Sequence, residues 1–476
     1  MAADARTAGG HARGRRAAPR AVRRNDPGTA GLITKSQAAA SLAKISIDSG
    51  FSLRLGCAPF GIVGQLSKPA GRSDRVHGDA RGRTETRHSG DDVTMVPNDA
   101  RTARLRSFLS ADPHNVDLAC DLADALIAQG LPAEAREVLE ALPAEKQAAA
   151  GVRFRLARIA LVHGDYAAAE AIYRRLIAEG HESAGVWHDL AFGQLCQRRA
   201  DEAMESVRTA IAHYPADPAL FVLEGRIALM QGDFETAKAA LDRAVAIDSD
   251  HAAALGVRAL ALFDHNDFNG AAQAARECLG RHPDQHEALL VAGTQALWAQ
   301  QLDTAQTHFE RALTRHPNSG RVLSGYGQLL MLRNDLTRAR QVLEHAVRTM
   351  PDHIGTWHAL AWTQLLQGDS AAAEASYRRA YALDRNFGDS HGGLALIDAL
   401  RGNFDEAELG IKRALRLDPN AVTARYAKTL VLDARGDHEA SEALLGTLIA
   451  GDGVASQLPV GEFAARLKSV LGASPR

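Results

Sequence analysis

No window of this sequence approaches the roughly 18 consecutive apolar residues that a membrane-spanning helix requires, so no helical span is expected. Only four cysteines occur, Cys57, Cys120, Cys196 and Cys278, standing about 60–80 residues apart. That spacing fits neither a zinc site nor a disulfide framework. Aromatic residues make up 5% of the chain, too few for one deep globular core but compatible with a thin, alanine-rich one. Catalytic signatures are missing as well: there is no GxGxxG after a strand, no GxxxxGK[ST], no HExxH and no GxSxG. The sequence therefore points to a non-enzyme with no cofactor and no metal, whose function resides in a surface.

What the chain has is a period of 34 residues, ten times over. The anchor is Gly130, followed by Gly164, Gly232, Gly368, Gly402 and Gly436, with Arg198, Asn266, Gln300 and Asn334 in the same slot. Five residues later stands alanine, from Ala135 to Ala407, until the tenth repeat substitutes Ser441. Such a period marks a solenoid, in which each helical unit buries its apolar face by stacking on its neighbours. Small residues at positions eight, twenty and twenty-seven let helix axes approach at the close end of the usual 8–10 Å range. Cys278 occupies position twenty-seven and reads as a packing residue. Asp-Pro, His-Pro or Met-Pro pairs, such as His282-Pro283 and Met350-Pro351, stop the second helix, because proline disfavours helical geometry in the residue before it.

Counted from Val116, the pattern resembles the tetratricopeptide repeat, a pair of antiparallel helices A and B. The eighth repeat, from Ile354 to Phe387, carries the resemblance best, with Trp357, Leu360-Ala361, Gly368-Asp369, Ala373, Tyr377 and Ala380. The third adds Trp187, Leu190-Ala191, Ala203, Ala210 and Pro215. The resemblance implies an all-α, right-handed superhelical solenoid of about ten helix-turn-helix repeats, closed by capping helices. It also implies that positions five, nine and thirteen of helix A line a concave groove where a peptide or partner helix docks. In this sequence the partner-binding candidates on that stripe are Phe154, Arg158, His188, Phe192, Arg226, Trp298, Gln328, His358, Trp362, Leu366, Gly392 and Leu396. Trp362 is expected to stand in the groove, and Trp357, at signature position four, in the core. Gly392 and Gly393 sit inside a helix, where each costs about 1 kcal/mol relative to alanine. They read either as a close packing contact or as a pocket beside His358 and Trp362.

Two specialisations of that family are absent residue by residue. The carboxylate clamp needs Lys at position five and Asn at nine, and neither occurs at those positions. The asparagine ladder at position six is replaced by Asp121, Arg155, Asp189, Leu223, Val257, Val291, Gly325, Ala359, Gly393 and Ala427. Histidines cluster at turns, among them His181, His213, His251, His282, His316 and His353, and read as solvated residues too far apart to share a metal.

The chain divides into residues 1–94, an N-terminal cap over 95–115, ten repeats over 116–455 and a C-terminal cap over 456–476. Residues 1–94 carry about sixteen Lys/Arg against about eight Asp/Glu, roughly +8, leaving the remainder near −10. Their Arg, Ala and Gly-rich composition without periodicity reads as a disordered basic tail or, because Met95 stands just before the first helix, as an overextended gene start. No nucleic-acid partner is expected from the repeats. Export signals are not visible, so a cytoplasmic location is expected. The expected role is a scaffold or adaptor in a multiprotein assembly; the alternatives are a secretion or assembly chaperone and an accessory subunit of an enzyme on another chain.

Overall fold

The computed structural model describes residues 97–450, and over them the chain is all-α. Each 34-residue unit folds into a helix A and an antiparallel helix B, as in Ile354–Leu366 and Ser370–Leu383 of the eighth repeat. The anchor slot explains itself in the backbone. Gly164 has φ 80°, its N–H donates to Leu161 O, and the N–H of Asp165 donates to Ala160 O, closing helix A with left-handed geometry. Asp165 then caps helix B, its Oδ1 accepting from the N–H of Ala168. The same Asp cap recurs at Asp233, Asp267, Asp335, Asp369 and Asp437. Arg198, Asn266, Gln300 and Asn334 take the slot at φ 58–65°, which strains a residue bearing a β-carbon.

Position twenty-four of helix B is a knob whose size sets its neighbours. The Phe309 ring lies where a β-carbon on Gly293 (2.7 Å) or Gly325 (2.8 Å) would be, one in its own helix A and the other in the next. Leu241 and Leu343 fill the same space over Gly225 and Gly327. The alanines at position twenty, Ala135 to Ala407, are fully buried, and Ser441 in their place donates its Oγ–H to Thr429 O. Small residues thus sit where two helices meet, as close packing demands.

The ends differ from expectation. Helix B of the first repeat is broken into Pro132–Glu140 and Ala144–Gln147, because Leu142-Pro143 interrupts it. The N-terminal cap, expected over 95–115, is a helix running Pro97–Ala111. Its Leu105 and Leu109 pack on the first repeat, whereas Phe108 is 56% exposed. Residues 1–94 and the C-terminal cap expected over 456–476 lie outside the described residues.

Stacking is not confined to nearest neighbours. Arg226 of the fourth repeat pairs with Glu287 of the sixth at 2.5 Å. Arg321 of the seventh forms a two-pronged bond to Asp264 of the fifth, at 2.6 and 3.1 Å. Arg198 of the third repeat reaches Asp352, at the junction of the seventh and eighth, at 2.5 Å. These side-chain contacts reach past the adjacent repeat and correct the expectation that each repeat touches only the next. One hydrophobic cluster runs from Ala259 to Leu448.

Candidate functional site on the concave face

Most of the second half of the stripe at positions five, nine and thirteen is buried. Trp362 is 2% exposed, its ring centroid 6.2 Å from that of Tyr426 two repeats on. His358 is buried with Nε2 3.0 Å from Ser390 Oγ and its ring edge-on to Tyr377 and Phe387. Burial pushes its pKa down to about 3, so the imidazole is neutral. Leu366 and Leu396 are buried too. Accessibility is therefore inverted between the two tryptophans: Trp362 packs in the core, while Trp357 is only partly buried and donates Nε1–H to Pro351 O.

The glycine pair proves to be a packing contact. A β-carbon on Gly392 would lie 2.4 Å from Thr423 Oγ1 and 2.5 Å from Ala424 N, leaving no room for a pocket. Nearby, Thr423 donates its N–H and Oγ–H to Asp389 Oδ1 at 3.1 and 2.6 Å. Burial raises the Asp389 pKa against the lowering effect of those bonds.

Two stripe arginines are engaged within the chain. Arg158 lies between Asp124 (3.7 Å) and Asp189 (3.5 Å), over the Phe154 ring. Arg226 and Glu287 are both buried. Burial alone would raise the Glu287 pKa, but the Arg226 guanidinium beside it more than offsets this and holds it at about 2.

Aromatic surface on the stripe remains accessible in two places. In the second and third repeats Phe154, His188 and Phe192 are half-buried, with His188 Nδ1 2.9 Å from Asp189 Oδ1. In the sixth, Trp298 is 37% exposed, stacked on Phe263 and edge-on to Phe268, each at 5.1 Å. Phe268 is itself 40% exposed. Beside them is a cavity of about 50 Å³ lined by Phe263, Leu290, Trp298, Arg321 and the half-buried Gln328. Sequence reasoning missed Phe263 and Phe268. For Phe268 the signal was an aromatic opening helix B, as also at Tyr166, Phe234 and Phe404, whereas Phe263 lies in the last turn of helix A.

The turn histidines are not uniformly solvated. His181 and His213 are exposed, but His251 and His353 cap helices, accepting from the N–H of Ala254 and Thr356. The His316 ring lies 4.4 Å from that of His286. Cys278 is buried as a packing residue, and burial pushes its thiol up to about 12. Cys196 is half-buried, and desolvation takes its thiol to about 11, which removes thiolate reactivity near neutral pH.

Paired helices stacked in register, repeat upon repeat, define a helical-repeat solenoid. More particularly, the chain belongs to the tetratricopeptide repeat proteins. Residues 98–151, 194–252, 222–286 and 358–421 match tetratricopeptide repeat families, and residues 262–385 match the cytochrome c-type biogenesis protein H TPR domain. No curated protein matches the sequence. Among solved structures, the human IFIT1 dimer with PPP-AAAA is 14% identical, with 80% of this chain and 96% of that chain covered and a TM-score of 0.46. An IFIT1 monomeric mutant with Gppp-AAAA is 15% identical, covering 79% and 96%, at 0.47. Likenesses this distant carry no argument about what the present chain binds.

Proposed function

We propose that this protein is a non-catalytic scaffold that holds a partner protein on its concave face, within a multiprotein assembly. The observation that carries this reading is the distribution of exposure along the stripe. Aromatic residues remain accessible at Phe154, Phe192 and Trp298 while their counterparts from Trp362 onward serve the core. Exposed aromatics are the residue class most often found at energetic centres of interfaces. Purifying the tagged full chain tests the reading. A protein partner should co-purify at defined stoichiometry, and Phe192→Ala together with Trp298→Ala should weaken its binding at least tenfold while the melting temperature changes little. A full chain that co-purifies with no protein, or whose partner binding ignores both substitutions, overturns it.

A narrower reading is supported by the match over residues 262–385: assembly of c-type cytochromes. Deleting the gene should then lower the amount of haem-attached cytochrome c, and unchanged levels would remove that reading while leaving the scaffold role. The cytoplasmic location expected from the sequence forms part of the proposal, and cell fractionation checks it.

A further inference from the structure

We propose that Arg198 and Asp352 form a latch that keeps the superhelix wound and so regulates access to the concave face. The proposal rests on the reading of that face as the partner site. Arg198 Nη2 lies 2.5 Å from Asp352 Oδ2, joining the A–B turn of the third repeat to the B–A junction of the seventh and eighth. The contact bridges four repeats, and the accessible Trp298 belongs to a repeat between its two ends.

Arg198 occupies an unfavourable backbone to make this contact. Its φ of 63° lies in the left-handed region, in a slot that six of the ten repeats fill with glycine. A side chain there carries a conformational cost of about 1 kcal/mol or more. The guanidinium that results is directed away from its own repeat, to a carboxylate four repeats along.

The latch differs in kind from the other two pairs that skip repeats. Arg226–Glu287 is buried and Arg321–Asp264 nearly so, with side-chain exposures of 8% and 3%, and 17% and 5%. Breaking either leaves a charge uncompensated inside the protein. The Arg198 and Asp352 side chains are 54% and 29% exposed, so water and salt reach both partners. An ion pair of that exposure is weak enough to open and close. The buried pairs hold the fourth repeat to the sixth and the fifth to the seventh, and the latch sets whether the third repeat meets the junction of the seventh and eighth.

The test uses the full chain with a spin-label pair on the exposed positions 205 and 348, in repeats three and seven. Arg198→Gly removes the latch yet suits the left-handed slot, so the fold is retained. At low ionic strength it should raise the population of long label distances about two- to fivefold, the range expected for an exposed ion pair. Half-molar salt should shift the unmutated protein the same way. Exchanging the charges, Arg198→Asp with Asp352→Arg, should return the short distance. Amide exchange in helix A segments 184–196 and 286–298 should quicken whenever the long distance grows. An unchanged distance distribution in Arg198→Gly, or a longer distance with unaltered exchange, overturns the proposal. Neither readout needs a partner, so failure of the scaffold reading is seen separately.

Discussion

The ring of Tyr377 occupies the space that a β-carbon on residue 393 would need, with Cε1 only 2.3 Å from that position. Gly393 is therefore the hole for the knob of the preceding helix B, just as Gly325 is for Phe309. Where the knob is smaller the facing position is larger: Leu343 precedes Ala359, and Ala275 precedes Val291. Gly393→Ala should destabilise by about 1–3 kcal/mol through overpacking, although alanine is the better helix former by about 1 kcal/mol. Adding Tyr377→Leu should recover part of the loss by recreating the Leu–Ala pairing. Denaturant unfolding of the two variants measures both effects.

Tyr377 offers a second, opposite expectation. Its Oη is buried without a hydrogen-bond partner among the described residues, a cost of about 1–3 kcal/mol for an unsatisfied polar group. Tyr377→Phe keeps the ring that fills the Gly393 hole and discards the stranded hydroxyl. The melting temperature should stay equal or rise, and a fall of several degrees would reveal a partner for that oxygen.

Trp362→Ala should cost about 3–5 kcal/mol, as is usual for a buried aromatic, and so act on folding before it acts on binding. Trp357→Ala should cost less, because its ring is partly exposed. Comparing unfolding midpoints of the two variants settles the order.

Stability should fall in acid well before the carboxylates titrate. Burial holds His286 at about 4 and His358 at about 3, both below the ordinary value near 6.5. Between pH 6.5 and about 4 the unfolded chain binds protons that the folded chain does not, so stability is full above 6.5 and declines as pH drops. The slope is of the order of 1 kcal/mol per pH unit for each histidine. Asp389, whose pKa is raised, acts in the opposite sense above its ordinary value of 3.8. His358→Asn should flatten the decline, which melting curves from pH 7.5 to 4.5 would show.

Periodicity made the fold legible, since the glycine slot, the Asp cap and the position-twenty alanine each have one backbone explanation that repeats. The stripe was legible as a set of positions but not as a surface. Helix A of the eighth repeat, Ile354–Leu366, carries no Asp, Glu, Lys or Arg on any face, whereas helix B of the seventh, Leu336–Thr349, carries charges along its outer side. A helix without a charged face is buried on most sides, and that contrast signalled that Trp362 belongs to the core. The pairing of Arg198 with Asp352 had no sequence signal, because it depends on superhelical pitch, which accumulates over several repeats.

A photo-crosslinking amino acid placed in the full chain at position 192 or 298, with exposed position 409 on helix B as the control, tests the scaffold role most directly. The expected result is one protein partner captured from both concave positions and not from 409. Capture of that partner from 409 alone, or no protein captured at either concave position, would contradict the assignment of the concave face as the binding site.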